Sequence, residues 1–182
     1  MSRNNGKIPV MMLVMCAVFA ALMAVCAQIA IPFWPANICL TLFAVELCGA
    51  LLKKQYAALA TLAYILLGLV GVPVFTGFNG GAAVLLKSTG GYIVGYLFCA
   101  FLIAWLIERW GRDFWKQCLA MAVGVLVCYV FGTIWFIILT GRTLWESLGL
   151  CVIPYLPGDA VKIALAAFLS TRLYKPLSKV IH

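Results

Sequence analysis

Apolar residues in this chain neither alternate with polar ones at the period of a strand nor mark a single helical stripe. They run together. Stretches bounded by charge, Pro or Gly cover Ile8 to Ile31, Ile38 to Leu52, Tyr56 to Val72, Val84 to Ile107, Cys118 to Leu139 and Pro157 to Tyr174. Unbroken apolar runs of about 18 residues or more mark helices that cross a bilayer. The pattern predicts an all-α membrane protein, a bundle of six transmembrane helices forming one integral domain over residues 1–182. The second run is short against a usual span of about 20 residues.

The front of the chain, with Arg3 and Lys7 ahead of apolar residues, has the layout of a secretory signal. Its apolar run of about 24 residues exceeds the roughly 7–15 of a signal core, so it reads as a retained first helix.

Composition agrees. The chain is 66% hydrophobic and 10% charged, whereas soluble domains are about 25% charged. A water-covered surface is excluded. A net charge of +8 raises nucleic acid as a partner, but the positions of the basic residues point instead to membrane lipid. Arg3, Lys7, Lys53, Lys54, Arg109, Arg112, Lys116, Arg172, Lys175 and Lys179 fall at the termini and in alternate connections between apolar runs. Cytoplasmic loops are rich in Lys and Arg. The expectation is a multi-pass protein of the plasma (inner) membrane with both termini in the cytoplasm. The eight Cys lie mostly inside apolar runs without a C-x-x-C or nearby His, and read as small hydrophobes with no metal site.

Six charged residues remain outside that pattern: Glu46, Lys87, Arg142, Glu146, Asp159 and Lys162. An ionisable group inside a bilayer costs roughly 2.5–3.5 kcal/mol on insertion scales, so each needs a partner or a cavity. Arg142 and Glu146, four residues apart, read as a surface loop pair. Lys87 can snorkel outward. Glu46 is either protonated inside the bundle or paired with a basic side chain. Asp159 and Lys162 follow "PG" at the start of the last run, and a spacing of three puts them on one helical face. They either neutralise each other or divide the holding of a ligand with N–H donors at one end and a carboxylate at the other. Upstream, "GVPVFTGFNGGAAVLLKSTGGYIVGY" packs seven Gly between Gly71 and Gly95. It reads as a non-helical cap over a cavity, with Asn79 towards the ligand and the G-x-x-x-G of Gly91 and Gly95 towards helix packing.

These residues resemble a family. "YILLGLVGVPVFTGFNGGAAVLLKSTGGYIVGY", followed downstream by "IPYLPGDAVKIALAAFL", is similar to the BioY biotin transporters, the substrate-binding (S) components of energy-coupling factor transporters. "QIAIPFWPANICLTLFAVELCGALL" extends the resemblance over nearly the whole chain. It implies high-affinity biotin uptake through an outward-side pocket closed by loops. Asp159 would accept hydrogen bonds from the ureido N–H groups, Lys162 would pair with a polar group such as the valerate carboxylate, and Asn79 and Tyr92 would line the site. Thr41, Phe75, Thr89 and Gly90 complete the expected ligand wall. Where the family pattern has G-P-T before G-G-Y, this chain has Lys87, Ser88 and Thr89; where it has I-T-L-Q, it has Ile38, Cys39, Leu40 and Thr41.

No G-x-x-x-x-G-K-[ST] loop is present, so active uptake requires partner ATPases with a coupling membrane subunit, or an ion gradient. Ala17, Ala20, Ala21, Ala24 and Ala27 form a small-residue stripe at helical spacing, the kind of face along which membrane helices approach. It packs within the bundle or docks a coupling subunit, and the resemblance implies the second. No cofactor is expected, biotin being the transported ligand. The alternatives are an S component for another small carboxylated vitamin and a membrane-embedded enzyme. The second lacks a convergent catalytic set, its only His being His182.

Overall fold

A computed structural model of the chain describes residues 10–31 and 38–181, with side chains as far as Leu177. Its elements are α1 (Val10–Gln28), β1 (Ala30–Ile31), β2 (Ile38–Cys39), α2 (Thr41–Leu51), α3 (Lys54–Leu69), a 3-10 turn (Ala82–Val84), α4 (Gly90–Trp110), α5 (Phe114–Thr140), α6 (Leu144–Cys151) and α7 (Leu156–Ile181). β1 and β2 pair antiparallel, Ala30 opposite Cys39 and Ile31 opposite Ile38.

Three helices, α1, α4 and α5, are long and apolar enough to cross a membrane; α6 and α7, bent by 52° at the break between them, pass the same test together. The protein is thus a multi-pass, all-α membrane protein. α2 has 11 residues and α3 has 16, which at 1.5 Å per residue spans roughly 17 and 24 Å, short of a hydrocarbon core of about 30 Å.

Two expected boundaries are corrected. α4 starts at Gly90 rather than Val84, because residues 82–89 turn over as a 3-10 turn and further tight turns. The expected helix over Ile38 to Leu52 loses its front to β2. One helix was not foreseen: α6 begins at a capping box, in which the Thr143 hydroxyl accepts from Glu146 N–H and the Glu146 side chain accepts from Thr143 N–H. Glu146, expected to form a surface loop pair with Arg142, caps a helix.

α2 is the axis of the core. Every residue in it except Phe43 is buried, as expected of a helix apolar on all sides, and it meets α1, α3, α4, α5 and α7. Its approach to α4 depends on Gly49, where a Cβ would lie 2.9 Å from the Ala100 carbonyl oxygen. α4 and α5 approach closely in the same way: a Cβ at Gly91 would lie 2.3 Å from that of Trp135. The G-x-x-x-G is a packing surface, as its spacing predicts. Outward, α5 shows Leu126, Val130, Ile134 and Ile138, and α7 shows Val161, Leu165 and Phe168, all exposed. These rows suit contact with lipid.

Polar contacts mark the two ends of the bundle. At one end the Lys54 ammonium lies 3.3 Å from the Glu108 carboxylate. Arg112 there donates to the Ala50 carbonyl at 2.6 Å and stacks 3.5 Å over the Tyr174 ring. The basic α2–α3 and α4–α5 connections therefore share a side with the last turns of α7. Arg3, Lys7, Lys179 and His182 lie outside the residues whose side chains are described.

Candidate functional site

The opposite end encloses a cavity of about 280 Å³. Its wall comes from β2 and the start of α2, Tyr64 of α3, the loop between α3 and α4, the start of α4, the middle of α5 and the start of α7. Seven of the eight expected ligand residues line it: Thr41, Phe75, Asn79, Thr89, Tyr92, Asp159 and Lys162. Gly90 does not. It is buried at the start of α4, where a Cβ would fall 1.8 Å from the Leu85 carbonyl oxygen, so its absent side chain is what lets the loop turn into the helix.

Asp159 and Lys162 sit one turn apart on α7 and are almost fully buried, at 5% and 8% exposure. The Lys162 ammonium is 2.8 Å from Asp159 Oδ1 and also donates to the Cys39 carbonyl on β2 at 2.9 Å. The second carboxylate oxygen, Oδ2, accepts from the Tyr129 hydroxyl on α5. The first alternative for the pair is therefore realised: the two charges neutralise each other, and they do so at the wall of a chamber. A buried ion pair offsets its desolvation only when the remaining donors and acceptors are also met. Here Tyr129 and Cys39 meet them, and hold both groups facing the cavity.

The glycine-rich loop covers the chamber and is tied down from several sides. Gln28, at the end of α1, donates to the Phe75 carbonyl at 3.2 Å and accepts from Phe78 N–H at 2.9 Å. Tyr64 on α3 donates to the Val74 carbonyl at 3.3 Å, and its ring meets Phe75 edge-on, centroids 5.6 Å apart. Phe75 itself fills the space that Gly68 leaves open, where a Cβ would touch its ring. Residues 75 and 79 bridge backbone to backbone. The Asn79 amide nitrogen donates to the Thr76 carbonyl at 2.7 Å, which leaves its side-chain oxygen as the part suited to a ligand N–H.

Tyr92 turns its hydroxyl to the Cys151 carbonyl at 2.8 Å, joining α4 to α6 while its ring lines the chamber over Gly132. The Thr41 hydroxyl lies 3.2 Å from Cys39 Sγ. Lys87 is exposed but reaches the cavity rim, and its carbonyl accepts from the Trp135 indole at 3.2 Å. Sequence reasoning passed over Tyr129 and Gln28. Each stands as a lone polar residue in or at the end of an apolar run, a signal that applies to many membrane tyrosines and glutamines alike.

All eight cysteines are free thiols, and no cluster of three or more metal-binding side chains occurs among the described residues.

The alanine stripe of α1 divides. Ala17 and Ala21 are exposed and Ala24 is half-buried, while Ala20 and Ala27 face the core. Ala20 is therefore removed from the expected docking face. A helix with a 3.6-residue turn places 17, 21 and 24 on one side and 20 and 27 on another.

The sequence model of the BioY family matches residues 1–179. The chain belongs to the BioY family. It is 34% identical to the biotin transporter BioY of Thermotoga maritima, over 90% of this chain and 95% of that protein. It is 39% identical to the probable biotin transporter BioY of Pyrococcus horikoshii, over 86% and 92%. Among solved structures it resembles the S-component for biotin from an ECF-type ABC transporter, with a TM-score of 0.84 at 30% identity, covering 96% of this chain and 95% of that one. The fold of this BioY chain is therefore shared along nearly its whole length.

Proposed function

We propose that the chain takes up biotin as the S component of an energy-coupling factor transporter, and that the cavity beside Asp159 and Lys162 is where biotin is held. The observation that carries this reading is an ion pair buried at the wall of a 280 Å³ chamber in a member of the BioY family. Asp159, an acceptor only, takes hydrogen bonds from the ureido N–H groups, and the Lys162 ammonium, which swings off Asp159 as the ligand enters, pairs with the valerate carboxylate at the other end of the molecule. Asn79 offers its side-chain oxygen from the loop. Thr41, Thr89, Tyr92 and Phe75 complete the wall. A largely apolar chamber with a few convergent polar groups is the usual form of a small-molecule site.

In this reading the cavity opens outward, both termini are cytoplasmic, and six crossings result when α2 and α3 each count as one and α6 with α7 count as one. Gathering of Lys54, Arg109, Arg112 and Lys116 at the end away from the cavity supports that orientation. The BioY relatives and the solved S-component support a partnership with a coupling membrane subunit and ATPases, with Ala17, Ala21 and Ala24 as the docking face. The test is titration of purified protein in detergent with biotin. Saturable one-to-one binding is expected; absence of binding would overturn the reading.

A further inference from the structure

Glu46 is the one acid of the bundle interior that the site does not use. It lies at the middle of α2, 0% exposed, and both of its carboxylate oxygens are buried without a hydrogen-bond partner. An ionised carboxylate left unbonded in so apolar a setting is too costly to persist. Thr41 and Leu42, about one turn earlier on the same helix, wall the cavity, so Glu46 lies just beneath its floor. The groups acting on it electrostatically are Asp159 and Lys162 from α7, Cys99 from α4, and Cys118 and Cys128 from α5. Along α2 itself, Cys16 of α1 lies near Cys48 and Tyr64 of α3 lies near Thr41.

We propose that Glu46 is a proton-binding site whose neutral form is required for an anionic ligand to be held in the cavity above it. The inference rests on the reading of the cavity as a biotin site. Its sign follows from charge. The empty site holds one plus and one minus, Lys162 and Asp159; a bound carboxylate adds a second minus. Ionising Glu46 beneath it would place a further negative charge within the same low-dielectric region. Ligand binding and loss of the Glu46 proton therefore oppose each other. Affinity is full where Glu46 is neutral and declines at pH values high enough to ionise it in the empty protein. The proton is taken from water and returned to water; no other reactant is needed.

Biotin affinity measured by calorimetry between about pH 6 and about pH 10 tests this, on wild type and Glu46→Gln. Gln keeps the shape and neutrality of the protonated acid but cannot ionise. Wild type is expected to lose at least about tenfold in affinity towards the alkaline end, and Glu46→Gln to lose several-fold less. Lys162 and the three thiols are common to both proteins, so the difference belongs to Glu46. Identical profiles would overturn the proposal, whereas no binding by wild type at neutral pH would overturn the biotin reading instead. Should the variant not fold, infrared spectra of wild type and Asp159→Asn at neutral pH decide. A protonated carboxyl band, shifted in heavy water and present in both, supports the proposal, because Glu108, Asp113 and Glu146 are solvent-accessible; its absence overturns it.

Discussion

The Tyr129 hydroxyl on α5 donates to Asp159 on α7, so the acid of the buried pair is held from two helices at once. Removing that hydroxyl leaves one carboxylate oxygen short of a donor. Tyr129→Phe preserves the ring and is expected to fold, while biotin affinity falls roughly three- to tenfold, the scale of about 1 kcal/mol for one lost hydrogen bond. Titration calorimetry in detergent reads the change. An unaltered affinity would show that Asp159 is positioned without Tyr129.

Gln28 clamps the glycine-rich loop through both faces of its amide, to Phe75 and to Phe78. Gln28→Ala is expected to speed biotin release several-fold and to change its capture less, since a cover that opens more often acts mainly on the off-rate. Dissociation of labelled biotin after a chase with unlabelled ligand gives the rate. Equal release rates would place the closure of the loop elsewhere.

Gly49 sets the distance between α2 and α4. Gly49→Ala places a methyl group 2.9 Å from the backbone oxygen of Ala100, which cannot step aside as a flexible side chain can. Overpacking of this kind costs about 1–3 kcal/mol. Thermal unfolding in detergent should start at a lower temperature than in wild type. A melting curve that does not move would mean that the two helices separate at little cost.

The two faces of α1 separate docking from folding. Ala21→Leu alters an exposed position and is expected to leave biotin binding intact while reducing uptake in cells that supply the coupling subunit and ATPases. Ala20→Leu alters a buried position and is expected to lower the melting temperature instead. Uptake of labelled biotin, with binding measured in parallel, distinguishes the two effects. Full uptake by Ala21→Leu would remove this face from the docking surface.

Much of the fold could be read from long apolar runs, because lipid demands them and little else produces them. The shorter elements escaped. β1 and β2 have two residues each, and α6 has eight with its only clear marker in the T-x-x-E of Thr143 and Glu146. At the site, Asp159 and Lys162 were legible because charge is scarce in oil. Tyr129 was not, since nothing local to α5 shows that its hydroxyl faces α7; that pairing spans 30 residues and exists only once the helices pack. The alanine stripe failed at Ala20 for a related reason. Five small residues cover more than one side of a helix, and only packing shows which side the core takes.

Whether Asp159 and Lys162 hold biotin is decided by the affinities of wild type, Asp159→Asn and Lys162→Ala, with melting curves to confirm that each is folded. Breaking a buried pair costs about 3–5 kcal/mol because a charge is stranded, and this applies to both variants; Asp159→Asn keeps the side-chain shape as well. Wild type is expected to bind tightly and each variant to lose at least about tenfold in affinity, or about 1.4 kcal/mol. Wild-type affinity in both folded variants would contradict it.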